Sequence, residues 1–104
     1  MCAVHGKRKL NKYLYVMLME NVKPVDAQIV EKHIAHLQEL EHRQKLVLCG
    51  PFTDYTGGMV VLATSSLEEA RGLAESDPFI AEGYKTFKLR TLEWAHSDNN
   101  YLLD

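Results

Sequence analysis

The features that mark several protein classes are missing from this 104-residue chain. It contains only two cysteines, Cys2 and Cys49, which are too few for a disulfide framework. No apolar run approaches the roughly 20 residues that span a bilayer. The formal charge of −2 gives no excess of the basic residues on which nucleic-acid-binding proteins depend. We therefore expect neither a membrane nor a nucleic acid among its partners.

Motifs for common cofactors are also missing. The chain has no GxGxxG, no P-loop and no CxxC, which excludes the sequence signatures of the commonest nucleotide and redox sites. A basic stretch at residues 7–12 before the apolar run Tyr13–Met19 superficially imitates a secretory signal. The run is at the short limit and no small-residue cleavage pattern follows it. These observations predict a cytoplasmic protein without a cofactor.

The composition is that of an ordinary globular domain. Hydrophobic residues make up 46% of the chain and charged residues 25%, which matches folded proteins and excludes a disordered chain. The length suits one domain. We expect that domain at residues 12–94, with a loose N-terminal tail at residues 1–11 and a C-terminal tail at residues 95–104.

The hydrophobic pattern predicts alternating strands and helices. Tyr13–Met19 is a β-branched and aromatic run that favours a strand. A helix is expected from Asp26 to about Gln44, because an Asp carboxylate can accept the free N–H groups of the first turn. Its apolar stripe consists of Ile29, Val30, His33, Leu37 and Leu40. The remaining predicted elements are strands at Leu46–Cys49, Gly58–Ala63 and Tyr84 to about Trp94, a helix from Ser65 or Ser66 with a capping box, and a helical turn from Asp77-Pro78.

The order βαββαβ predicts a ferredoxin-like α+β fold with a four-stranded antiparallel sheet. Helices cover one face of such a sheet, and its strands are apolar on both faces. We expect Tyr13, Tyr15, Met17, Val60 and Leu62 to supply the uncovered face, depending on the alternation that each strand uses. A large exposed apolar face needs a cover, and a homodimer formed through this face would provide it. The alternative cover is the C-terminal tail, with Trp94 and Tyr101.

Two histidines and an aspartate are the candidates for chemistry. His33 and His36 lie three residues apart on the first helix, and imidazole exchanges protons near neutral pH. Asp77 suits a helix N-cap, and it could also orient a histidine. The two histidines alone do not complete a zinc site, which needs three or four protein ligands, so we expect no metal. The alternative for each histidine is a satisfied position in the core.

Three segments resemble the YciI-related (YCII) family: Ala35–Leu40, Leu46–Pro51 and Ser76–Gly83. The resemblance runs from about Tyr13 to Trp94. It implies a ferredoxin-like domain of the dimeric α+β barrel type, with dimers packed sheet to sheet. It also implies a His–Asp pair in a cleft, which here would be His36 and Asp77.

Proteins similar to this family include a dehydrochlorinase of chlorinated hydroxyquinol, and the fold resembles that of muconolactone isomerases. Similar sequences often have Arg three residues before the helix histidine. This chain has His33 there, and neutral imidazole lacks the fixed charge and fork geometry of guanidinium.

The sequence thus predicts a small acid–base enzyme. His36 would exchange a proton and Asp77 would orient it, in the elimination or isomerisation of a small cyclic or hydroxylated aromatic compound. Residues expected to contact this small-molecule ligand are His33, Gly50, Pro51, Phe52, Asp54 and Phe79. The alternatives are a non-catalytic dimeric module that binds a small ligand in the same cleft, and a buried structural His36–Asp77 pair in a protein that functions through its dimer surface.

Overall fold

A computed structural model describes residues 11–103. The predicted N-terminal tail therefore lies outside the described residues, apart from Asn11. The elements are β1 (Tyr13–Asn21), α1 (Ala27–His42), β2 (Leu46–Pro51), β3 (Gly58–Leu62), α2 (Leu67–Ser76), α3 (Pro78–Ala81), β4 (Lys85–Glu93) and a 3-10 helix (Ser97–Leu102).

The four strands form one sheet in the order β2-β3-β1-β4, and every neighbouring pair is antiparallel. The three α-helices lie on one face of this sheet, where α3 contacts both α1 and α2 and joins α2 to β4. This arrangement confirms the predicted α+β, ferredoxin-like fold with a four-stranded antiparallel sheet. None of the helices among residues 11–103 is long and apolar enough to cross a membrane.

Helix α1 follows the predicted start and stripe. Asp26 is its N-cap, and one carboxylate oxygen of Asp26 accepts the backbone N–H of Ile29 at 2.9 Å. Ile29 and Leu40 are buried at opposite ends of the stripe. The helix ends at His42, slightly before the predicted end, and Gln44 just beyond it has a positive φ of 60°.

The helix-facing side of the sheet forms the main core. Its strand residues include Tyr15, Met17, Val60 and Leu62, all buried against the helices. The expectation that these four side chains supply the uncovered face is therefore wrong. Both faces of β1 and β3 are apolar, so alternation within a strand does not say which set meets the helices. The packing of α1 and α2 decides it.

The other face of the sheet has its own apolar cluster. Leu14, Val47, Val61 and Ala63 are buried there, and Trp94 packs against them. Two leucines on this face, Leu48 and Leu92, are each 46% exposed. They lie opposite Val61 and Leu14 in the strand pairing. Part of the C-terminal segment therefore covers this face through Trp94, while apolar surface remains open along the outer strands.

Candidate active site

A cavity of about 510 Å³ opens on the helix side of the sheet. Its volume lies within the range of small-molecule binding pockets. Most of its wall is apolar, and two nitrogen-bearing side chains that can carry charge, His33 and Lys85, also line it. The lining residues are Met19, Val30, His33, Leu37, Cys49, Gly50, Pro51, Gly57, Gly58, Met59, Val60, Phe79 and Lys85.

The connection between β2 and β3 closes one end of this cavity, and it requires glycine. Gly57 has a φ of +99°, which L side chains rarely adopt. A Cβ at Gly57 would also collide with the backbone carbonyl oxygen of Met19. The glycine thus lets the loop pack directly against β1. Gly50, Pro51 and Gly57 line this end of the cavity.

His33 and Asp77 form a hydrogen-bonded pair at the edge of the cavity. His33 Nδ1 lies 2.9 Å from Asp77 Oδ1, and the two side chains are 12% and 2% exposed. The same Asp77 oxygen accepts the backbone N–H of Phe79 at 2.9 Å, because Asp77 is the N-cap of α3. An ionised carboxylate only accepts hydrogen bonds, so Nδ1 carries the proton. In the neutral form of His33, Nε2 is then the proton acceptor, and Nε2 has no hydrogen-bond partner among residues 11–103.

Phe79 fixes the plane of the His33 ring. The two ring centres are 3.9 Å apart and the planes differ by 17°, which is a stacked arrangement. Phe79 is buried and lines the cavity. Asp77 therefore sets the tautomer of His33 through Nδ1, while Phe79 sets the direction in which Nε2 points.

His36 occupies a different environment from the one that the family resemblance implied. It does not line the cavity, and it lies beside the backbone of Leu73 in α2. Burial lowers the pKa of His36, the Asp77 charge acts in the opposite direction, and His33 lowers the pKa further. The histidine that hydrogen-bonds Asp77 in the structure is His33, whereas His36 feels Asp77 only as a nearby charge. A three-residue step along α1 turns His33 toward α3 and leaves His36 beside α2.

Lys85 is a site residue that the sequence reasoning missed. It begins β4, and its Nζ lies 4.6 Å from the centre of the Phe79 ring. Burial lowers the pKa of Lys85, and the charge of Asp77 partly offsets this effect. The sequence could have indicated Lys85, because every second residue of a strand lies on the same face. Lys85 therefore shares the core side of β4 with Phe87 and Leu89.

The structure brings together four of the six residues expected to contact a ligand: His33, Gly50, Pro51 and Phe79 line the cavity. Phe52 and Asp54 do not. Phe52 donates its backbone N–H to the Gly57 carbonyl at 3.0 Å, and the side chains of both residues are exposed in the loop. Within residues 11–103, no three His, Cys, Asp or Glu side chains are grouped to hold a metal ion.

Comparison with known proteins gives the family. Residues 13–94 match the YCII-related domain. The chain belongs to the YCII-related family. A relative in this family is the uncharacterized protein YjpA of Bacillus subtilis (strain 168), which is 34% identical over 82 residues, covering 79% of this chain and 94% of YjpA.

Two solved structures share the YCII-related fold of this chain. One is 5-chloro-2-hydroxyhydroquinone dehydrochlorinase from Burkholderia phenoliruptrix AC1100, in complex with 2,5-dihydroxybenzoquinone. The TM-score is 0.56 at 24% identity, over 84% of this chain and 98% of the other. The second is muconolactone isomerase, with a TM-score of 0.60 at 15% identity over 80% and 88% of the two chains. These likenesses agree with the ferredoxin-like α+β fold described above.

Proposed function

We propose that this chain is a small acid–base enzyme in which His33 exchanges a proton with a small cyclic or hydroxylated aromatic compound. The supporting observation is the His33–Asp77 pair, with Nε2 unpaired among the described residues at an apolar cavity of about 510 Å³. The reaction class is elimination or isomerisation. In an elimination, His33 takes a proton, the freed electron pair forms a new double bond, and a leaving group such as chloride departs with its bonding electrons. In an isomerisation, His33 takes a proton, the double bond shifts, and the protonated His33 returns the proton to a different atom of the substrate.

The pair has the parts that proton transfer needs. A base must hold one tautomer, and the Asp77 carboxylate selects the tautomer with its proton on Nδ1. When Nε2 gains a proton, the nearby carboxylate stabilises the imidazolium that forms. Asp77 is a positioning residue here, because it is buried behind His33 and does not line the cavity.

The two fold relatives suggest the chemical class of substrate. One is a dehydrochlorinase crystallised with a dihydroxybenzoquinone, and the other is an isomerase of a lactone. Both names describe reactions of small ring compounds in which a proton moves. The mostly apolar cavity wall of this chain suits a ring of that size.

The decisive experiment compares two histidine variants in a turnover assay. 5-Chloro-2-hydroxyhydroquinone, its chlorinated and unchlorinated analogues and muconolactone are incubated with the protein, and their consumption is followed by absorbance and chromatography. We expect wild type to consume a member of this panel. We expect His33→Asn to lose about 100-fold or more in kcat. The matched control, His36→Asn, removes the neighbouring histidine and should retain turnover within a few-fold.

An Asp77→Asn variant separates positioning from capping, since Asn also caps helices. It should fold, retain KM and lose at least about tenfold in kcat, because an amide does not stabilise the imidazolium. Equal turnover by wild type and His33→Asn would contradict the proposal, as would loss of activity in His36→Asn alone. Saturable binding of panel members without consumption would favour the non-catalytic binding module.

A further inference from the structure

Lys85 contributes a positive charge to a cavity that is otherwise largely apolar. It is the only lysine among residues 11–103 that lines the cavity. Its side chain lies on the helix side of the sheet with Phe87 and Leu89, and its ammonium is 4.6 Å from the centre of the Phe79 ring. Such a cation–π contact orients the ammonium and leaves its N–H donors available.

No carboxylate among the described residues pairs with Lys85. The ion pairs in residues 11–103 join Lys32 to Glu82, His33 to Asp77 and Lys45 to Glu69. Asp77 acts on Lys85 only as a more distant charge, and its Oδ1 already accepts two hydrogen bonds. Burial lowers the pKa of Lys85, because a partly buried ammonium loses part of its hydration.

We infer that Lys85 is the anion-binding residue of the cavity and that its ammonium holds an anionic oxygen on an apolar ring compound. The inference rests on the proposed function for the use of the cavity, and it adds the substrate class: a ring that carries a carboxylate or a ring oxyanion such as a phenolate or enolate. His33 and Lys85 contact the same Phe79 ring. Both side chains also line the same cavity.

The charge arrangement favours an anion over a neutral ligand. An anionic oxygen takes the place of water that the partly buried ammonium has lost, beside an apolar wall where the attraction is screened less than in bulk water. A neutral isostere restores less of that interaction. The same contact would stabilise an oxyanion that develops when His33 removes a proton from the ligand.

Binding of matched anionic and neutral probes tests this inference without any turnover. One pair is benzoate and benzamide, which tests for a carboxylate. The other is 4-nitrophenolate and 4-nitroanisole at mildly alkaline pH, which tests for a ring oxyanion. Dissociation constants are measured by NMR titration of wild type, Lys85→Met and Lys85→Arg.

We expect wild type to bind the anion of at least one pair about tenfold more tightly than its neutral partner, as for a charge-assisted hydrogen bond. This preference should fall to within about twofold in Lys85→Met, and Lys85→Arg should restore it. The matched control is Lys32→Met, which removes a lysine of α1 whose ammonium pairs with Glu82 at the surface. It should keep the wild-type preference.

Absence of an anion preference in wild type would overturn the inference, including the case in which no probe binds. A preference that survives in Lys85→Met, or that Lys32→Met also removes, would overturn it too. Failure of the proposed function would appear as unchanged turnover in His33→Asn, and failure of this inference as unchanged selectivity in Lys85→Met.

Discussion

Two histidines on one helix have acquired different properties through their neighbours. His33 has a carboxylate partner and a stacked phenyl ring, whereas His36 is partly buried beside Leu73. Burial disfavours the protonated imidazolium of His36 more than the charge of Asp77 favours it, so the pKa is lowered. We therefore propose His33 for the chemistry and predict that His36 affects stability.

His36 should make stability depend on pH. Its pKa in the folded state lies below the ordinary value of 6.5, so the unfolded chain binds the proton more readily. The free energy of unfolding should therefore be greatest above pH 6.5 and fall as the pH drops through the folded pKa. We expect His36→Gln to flatten this dependence in urea titrations between neutral and mildly acidic pH, at fixed protein concentration.

The control for this effect is His42→Gln at the exposed end of α1. It should leave the pH dependence of the unfolding free energy as in wild type. If His36→Gln and wild type lose the same stability over this pH range, burial of His36 does not oppose its protonation.

At the scale of elements, the start of α2 shows how local chemistry defines a helix. The sequence left Ser65 and Ser66 as alternative starts. In the structure Ser66 is the N-cap, and its hydroxyl accepts the backbone N–H of Glu69 at 3.0 Å. The Glu69 carboxylate accepts hydrogen bonds from Ser65 and from Lys45, which precedes β2. The bond from Lys45 is the main reason that the pKa of Glu69 falls to about 2. The cap is local, whereas the Lys45 bond depends on the fold.

Replacement of Ser66 by Ala should lower the free energy of unfolding by about 1 kcal/mol, since the helix loses an N-cap hydrogen bond. Ser65→Ala is the matched control. It loses an exposed hydroxyl contact with Glu69 but keeps the backbone N–H that Glu69 accepts, so its change should stay within about 0.5 kcal/mol. Urea unfolding of the three proteins measures both values, and equal losses would refute the assignment of Ser66 as the cap.

For the whole molecule, the sheet face opposite the helices remains the main candidate for an interface. Trp94 covers part of it, and Leu48 and Leu92 stay 46% exposed. A second copy of the sheet would bury such apolar surface, and antiparallel sheets pack face to face in this way. The homodimer is therefore still a prediction, argued now from the residues on this face.

We expect wild type to sediment as a dimer in analytical ultracentrifugation. A double variant, Leu48→Asp with Leu92→Asp, should shift it toward monomer and keep the circular dichroism spectrum, because both side chains are already half exposed. Ile34→Asp is the matched control, since Ile34 is also 46% exposed but lies on α1. A monomeric wild type would contradict the prediction, and so would a double variant that stays dimeric.

The sequence by itself determined the order of the elements, the fold class and most helix boundaries. These follow from neighbours in the chain: the Asp26 cap bonds a residue three positions away, and the α1 stripe repeats with the period of the helix. It also identified Asp77-Pro78 as the start of a helical turn, because Pro fits the first helical position.

Only the tertiary structure decided which histidine meets Asp77, which face of β1 meets the helices, and that Lys85 lines the cavity. His33 and Asp77 are 44 residues apart, and their contact depends on how α1 crosses α3. Because β1 and β3 are apolar on both faces, their hydrophobic pattern allows either face to pack against the helices. These choices belong to packing between elements, which a local pattern in one chain does not encode.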